Sequence, residues 1–255
     1  MRGYRAFLGK EVKENSRNYK FMIILIVFSI VGLLSPLSAK FLPVLLESLV
    51  DDTITIIIQD PTYVDSWVQF FSNTNQISLI VFLLLFSPLM SKEFEKGTFV
   101  HMVTKGLPRQ TIILSKATVL LISWTVGYWL SALITFVYTH LYFSDSRVEG
   151  LLLPLVSLYS FGILLLAVLL VSAVIFKSAF APLLAVGGFV VFSFIGDIFP
   201  AVHKWNPLQL ATRNLELLVN QEGDQLLAQA FGVTGILTIG CLVGSIYLFK
   251  RRNIN

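Results

Sequence analysis

Few residues in this 255-residue chain are of a type that does chemistry, and their spacing limits what they can do. His101, His140 and His203 fall in three separate segments, too far apart to share one metal ion. No H-E-x-x-H or G-x-S-x-G pattern is present. The closest pair of carboxylates of interest, Glu93 and Glu95, sits at the edge of an apolar run and not inside one. An intramembrane acid pair would need the interior position. Asp51, Asp52, Asp60 and Asp65 match no calcium-loop spacing and read as a solvated acidic face. The single cysteine, Cys241, excludes an internal disulfide or a cysteine zinc cluster. No G-x-x-x-x-G-K-[ST] phosphate loop occurs, so ATP hydrolysis by this chain alone is not expected. The expectation is a protein with no catalytic residues, no metal and no bound cofactor.

What remains is polar or small residues beside apolar runs. Asn73, Asn75 and Gln76 precede one such run and either line a polar path or cap a helix. Asp197 closes another run, and an ionisable group at that depth is a functional candidate by default. The alternative places it among lipid headgroups. Gly240 and Gly244 form a G-x-x-x-G, where small residues let helices approach closely. Packing within the chain is favoured there over self-association. The stretch from Ser91 to Lys116 is the most informative. Glu93 and Glu95 precede a break at Gly97-Thr98. Phe99 to Thr104 then makes one or two turns with Phe99, Val100, Met102 and Val103 apolar. Lys105-Gly106 breaks the chain again, and Pro108 permits a helix to restart. A short helix held between glycine breaks is expected to protrude as an apolar knob with a charged collar, suited to a groove on another protein.

The elements that carry these residues are set by composition. The chain is 55% hydrophobic and 13% charged, far from the roughly 25% charge of soluble domains. Six apolar runs approach the ~20 residues that a bilayer core requires. They cover about 21–38, 77–90, 117–143, 151–176, 179–199 and 227–249, with a tight turn at Lys177-Ser178; Asn73, Thr74, Asn75 and Gln76 could continue the second helix and start it earlier. Placing the N-terminus, the 91–116 loop, Lys177 and the C-terminus on one side divides the basic residues 15 to 4. By the positive-inside rule both termini are cytoplasmic. The net charge of +4 then needs no nucleic acid, because basic residues at membrane ends meet anionic headgroups. The first 20 residues are too polar for a cleaved signal peptide. They form one apolar stripe, Tyr4, Phe7, Leu8 and Val12, with Arg5, Lys10, Lys13, Glu14 and Arg17 elsewhere, as an interfacial helix would. Residues 39–76 make an outer segment in which Val44, Leu45, Leu49 and then Val64, Trp67, Val68 and Phe71 suggest short surface helices parted by Pro61. A second outer segment, 200–226, has Leu208, Ala211, Leu215 and Leu218 on one face.

This all-α membrane layout resembles the membrane subunits of type-2 ABC exporters across essentially the whole chain. Three stretches carry the resemblance. Glu93, Glu95, Lys96, Gly97 and Thr98 look like the acidic–basic–glycine–threonine segment leading into that family's coupling helix. Pro108, Arg109 and Lys116 match the opening of its third helix. KEVKENSRNYKF with Leu34-Ser35-Pro36-Leu37 is similar to its interfacial helix and first span. The resemblance implies a homodimer or heterodimer of six-helix permeases in the plasma membrane, with the pathway between them. It also implies separate ABC ATPase subunits that bind ATP and magnesium and drive alternating access. Glu93, Glu95, Gly97, Thr98, Phe99, Met102 and Arg109 would then receive the motion of the ATPase. The spans hold few polar residues, which suits a hydrophobic or amphipathic cargo such as a peptide, a peptide antibiotic or a lipid-like molecule. The competing expectation is a non-transporting sensor or immunity module that binds a toxic peptide.

Overall fold

In the computed structural model, residues 2–49, 60–104, 106–143, 150–220 and 224–252 are described. They are helical, with no strand among them. In chain order the helices are α1 (Arg2–Arg17), α2 (Lys20–Leu49), α3 (Tyr63–Asn73), α4 (Leu79–Phe86), α5 (Ser91–Glu95), α6 (Thr98–Thr104), α7 (Arg109–Tyr142), α8 (Leu152–Ile175), α9 (Ala181–Asp197), α10 (Pro200–His203), α11 (Gln209–Thr212), α12 (Asn214–Asn220) and α13 (Asp224–Arg251). Asn18 and Tyr19 turn α1 into α2, with Tyr19 left-handed at φ 57°.

Five stretches are long and apolar enough to cross a membrane: Lys20–Leu42, Tyr63–Glu95, Arg109–Tyr142, Leu152–Ile175 and Leu227–Arg251. The chain is therefore an all-helical protein with the character of a multi-pass membrane protein. The remaining expected span, the fifth, is α9; it has 17 residues, or about 25 Å of helix, and falls just short of that length.

The second span differs most from expectation. It begins at Tyr63 and not near Ile77, and it runs 33 residues to Glu95. Asp65 builds its start, accepting hydrogen bonds from the Thr62 backbone N–H and hydroxyl at 2.8 Å each. Trp67, Phe70 and Phe71, in the region expected on the outer surface, lie buried in the bundle. The path is continuous because Thr74–Ser78 forms a π turn between α3 and α4. A polar run that resembles a loop is thereby carried inside a helix. Near the other end a 3₁₀ turn, Ser87–Leu89, bends the path at Pro88, where the ring removes a helix hydrogen bond. Likewise α2 continues to Leu49, past the expected exit at Lys40. Asp51 and Asp52 lie outside the described residues, as do the side chains of Val44, Leu45 and Leu49.

The bundle centres on α7 and α8. A Cβ on Gly32 would stand 2.7 Å from the Ser131 carbonyl oxygen, so α2 and α7 cross at a point only glycine allows. The Thr135 hydroxyl donates to the Gly32 carbonyl there at 3.0 Å. Gly162 on α8 is covered by the Trp124 ring, 2.2 Å from where a Cβ would be. Trp124 Nε1 donates to the Tyr159 carbonyl at 3.2 Å, and Tyr128 Oη to the Leu155 carbonyl at 2.8 Å. Indole and phenol are thus buried with their polar ends satisfied. At Gly240 a Cβ would meet nothing within 4 Å, and at Gly244 only Val171 Cγ2 at 4.0 Å. The G-x-x-x-G does not draw two helices of this chain together, contrary to expectation; α13 leans on α8 along another face.

Candidate functional site

The residues brought together most tightly lie where α1, α5 and the start of α7 meet. Lys116 stands two turns into α7 with its side chain 3% exposed. Its ammonium donates to the Glu11 carboxylate of α1 at 3.1 and 3.2 Å and to the Leu89 carbonyl at 3.0 Å, and it is ion-paired with Glu93 of α5 at 2.8 Å. Lys10 approaches from the rim and pairs with Glu93 at 2.5 Å, Glu14 at 2.7 Å and Glu11 at 3.2 Å. Asn15 Nδ2 donates to the Glu11 carbonyl at 2.8 Å. A buried ion that lost its partner would be costly, and here every charge is answered. Burial works against the Lys10 ammonium. The Glu93 carboxylate, and then hydrogen bonds to Glu14 and Glu93, outweigh it and hold its pKa above the ordinary lysine value. Burial likewise opposes the Glu14 carboxylate, and the hydrogen bond and charge of Lys10 outweigh it, leaving its pKa low.

The carboxylates of Glu11, Glu14 and Glu93 come within 4.8 Å of one another, a count that would suit a divalent cation. The ammonium groups of Lys10 and Lys116 already stand among them. The cluster therefore ties three elements together without a metal.

This arrangement corrects the expected stripe on α1. Val12 is exposed, whereas Phe7, Glu11 and Asn15, four residues apart, form the buried face. Glu11 was missed because a carboxylate does not announce itself as core. The available signal was Lys116, a cation well inside an apolar helix that required a partner.

Beyond Glu93 the chain turns at Gly97, φ +62°, and at Gly106, φ +83°, the two expected glycine breaks. Between them α6 runs from Thr98, whose hydroxyl donates to the Glu93 carbonyl at 3.2 Å. Phe99 is not a projecting knob. It is fully buried, between Phe94 at 4.8 Å and Phe249 of α13 at 5.3 Å between ring centres. Met102 and Val103 are half-buried, and Glu95 and Lys96 are exposed. The side chains of Val100 and His101 lie outside the described residues. Arg109 Nη1 donates to the carbonyls of Lys250 at 2.7 Å, Arg252 at 2.8 Å and Phe249 at 3.3 Å. It thus caps the C-terminal end of α13, where a cation is favoured. The 93–109 segment is accordingly bonded on one flank to α1 and α7 by ion pairs, and on the other to α13 by aromatic rings and a guanidinium.

The other sequence candidates lie elsewhere. Asn73 Nδ2 donates to Ser35 Oγ at 3.2 Å and Asn75 Nδ2 to the Ala211 carbonyl at 3.2 Å. Both brace the second span against its neighbours. Gln76 is exposed and donates to Ser72 Oγ at 3.2 Å. Asp197 gathers the 200–212 segment around itself. It accepts hydrogen bonds from Asn206 at 3.0 Å and from Gln209, and lies 3.1 Å from His203 Nδ1. Asn206 also donates to the Ser193 carbonyl at 2.7 Å and accepts from the Leu208 backbone N–H at 3.1 Å. The 208–218 stretch, expected to set Leu208, Ala211, Leu215 and Leu218 on one face, is two short helices, α11 and α12. Leu208, Ala211 and Leu218 are buried, but Leu215 is exposed, because the helix breaks at Arg213.

No family model, no curated protein and no solved structure matches the chain. The resemblance to type-2 exporter subunits accordingly rests on the residues and topology already described.

Proposed function

We propose that this chain is the permease subunit of an ATP-driven exporter of the type-2 ABC kind. It has six spans, with α9 as the short fifth, and both termini are cytoplasmic. It works as a homodimer or heterodimer in the plasma membrane with separate ATPase subunits that hold ATP and magnesium. A hydrophobic or amphipathic cargo moves between the two permeases by alternating access. The observation that carries this reading is the 93–109 segment. A short helix pinned between two left-handed glycines is bonded to α1 and α7 through Glu93 and to α13 through Phe99 and Arg109. Displacement of such a segment would be felt at once by three elements of the bundle.

The coupling role is therefore divided between outward and inward residues. Exposed Glu95 and Lys96 and half-buried Met102 face the ATPase. Glu93, Phe99 and Arg109 pass its motion inward, while Gly97 and Thr98 shape the turn. The test is hydrolysis by the partner ATPase, measured in liposomes with and without this chain. Gly97→Val and Phe99→Ala should abolish the stimulation by this chain while leaving it folded in the membrane. If no ATPase co-purifies, or if stimulation is unchanged in both variants, the proposal fails.

A further inference from the structure

The ion pairs at α1 have a second effect. They draw Glu11 and Glu14 to the side of α1 that faces Lys10, Glu93 and Lys116. The remaining surface of the helix carries Arg5, Lys13 and Arg17, all exposed, with no ion pair among the described residues; Glu14, next to Lys13 and three residues before Arg17, is engaged by Lys10 at 2.7 Å. Exposed Val12 lies on this same surface and forms the roof of a crevice of about 240 Å³ between α1, α2 and α7. Its walls include Phe21, Ile24 and Leu25 of α2 and Val119, Ile122 and Val126 of α7. The one polar side chain of the lining, Ser123, donates its hydroxyl to the Val119 carbonyl at 2.6 Å and offers nothing to a polar guest. The crevice extends along α7 from Val119 to Val126, roughly 10 Å of helix, and its rim at Ile122 and Val126 is more than half exposed.

We infer that this crevice binds an anionic phospholipid, with the phosphate at Lys13 and Arg17, one turn apart on α1, Arg5 adding to the same positive field, and an acyl chain beneath Val12. The dry wall suits a hydrocarbon chain. A cationic face whose neighbouring carboxylate, Glu14, is already paired with Lys10 suits a phosphate, and α1 joins the two in the order that a lipid presents them. A zwitterionic lipid brings its own ammonium to the same face and gains less there. The inference needs only that the chain lies in a bilayer, so it stands apart from the exporter reading.

The test compares phosphatidylglycerol with phosphatidylcholine, both added to the purified full chain in neutral detergent. Retained lipid is counted by native mass spectrometry and thermal stability is followed in parallel. The wild type should retain phosphatidylglycerol in preference and be stabilised by it more than by phosphatidylcholine. Each of Lys13→Gln and Arg17→Gln should weaken that preference about fivefold, Arg5→Gln, about 12 Å or more along the helix, should weaken it less, and 1 M salt should suppress it. Ile122→Trp, which fills the crevice, should lower retention of both lipids. The three glutamine variants change exposed residues, so their stability in phosphatidylcholine should match the wild type and exclude misfolding as the cause. Equal retention of the two lipids overturns the inference. So does a preference that survives the triple glutamine variant. Crosslinking of two copies through cysteines placed at Ile122 and Val126, with lipid excluded, would make the face an interface between chains and also overturn it.

Discussion

Two polar regions hold the ends of this bundle, and they do so by different means. Near α1, five charged side chains, Lys10, Glu11, Glu14, Glu93 and Lys116, join segments far apart in sequence. At the end of α9, Asp197 is surrounded by Asn206, Gln209 and His203, all within about a dozen residues of it. The first region holds distant elements against each other. The second folds a local stretch of irregular backbone by giving its orphan groups partners, as irregular backbone beside a bilayer requires. Long-range charge pairs make one region a joint between elements, whereas short-range amides make the other a self-contained cap.

Variants that remove one member at a time should break the comparison in a definite order. Lys116→Met removes the buried cation between Glu11 and Glu93, leaving them only the part-exposed Lys10, and should cost the most, about 3–5 kcal/mol, read as a fall in thermal stability in detergent. Glu11→Gln and Glu93→Gln added to it should restore part of the loss. If Lys116→Met alone is neutral, the joint is not electrostatic. Arg109→Gln removes a charged cap from three carbonyls and should cost about 1.5–3 kcal/mol. Protease cleavage near the end of α13 should quicken with it. Asn206→Leu strands the Leu208 N–H and the Ser193 carbonyl, at about 1–3 kcal/mol. Its effect on hydrogen exchange should stay within residues 193–212, and exchange that spread to α1 would show that the two regions are coupled.

Acidity sharpens the comparison further. Glu14 titrates low in the folded chain, so its contribution is present above the ordinary carboxylate pKa and lost as pH falls through its own. Lys10 titrates high, so its contribution is present below the ordinary lysine pKa and lost as pH rises through its own. Neither of these two groups should therefore add a pH dependence across roughly 5–9, so the stability difference between wild type and Lys10→Gln, read by thermal unfolding, should stay constant over that range. The smallest effect belongs to Lys10→Gln, about 0–1 kcal/mol, because this ammonium is 38% exposed and water screens it.

The sequence made the long apolar helices legible, since lipid imposes a length and composition that no packing detail can hide. It also exposed Glu93, Gly97, Thr98 and Arg109 as residues of interest, because turns and charges at span ends stand out. Its silence on Glu11 has a physical cause. A carboxylate is buried only by virtue of a partner more than a hundred residues away, and local periodicity carries no trace of that partner. Phe99 is the converse case. An apolar side chain on a short helix between glycines looks like an outward knob until the end of α13 is brought against it. Asn73 to Gln76 were legible as a possible extension of the second span, but its start at Tyr63 was not, because the polar run separates Trp67 and Phe71 from the apolar stretch they continue. The polarity of that run is absorbed by Ser35, Ala211 and the π turn.

That turn also sets which changes in chain length the second span can absorb. A π turn holds one residue more than an α turn. Phe70 and Phe82, both fully buried, stand twelve positions apart. On an uninterrupted α-helix they would point roughly 120° away from each other, but with one residue taken up at Thr74–Ser78 the offset falls to about 20°. Losing a single residue within those five would convert the turn to an ordinary one and keep both aromatic faces directed at the bundle. The same loss a few positions either way would rotate half of the helix out of register. Along this span, Thr74–Ser78 is where a one-residue deletion can be tolerated without repacking the rest.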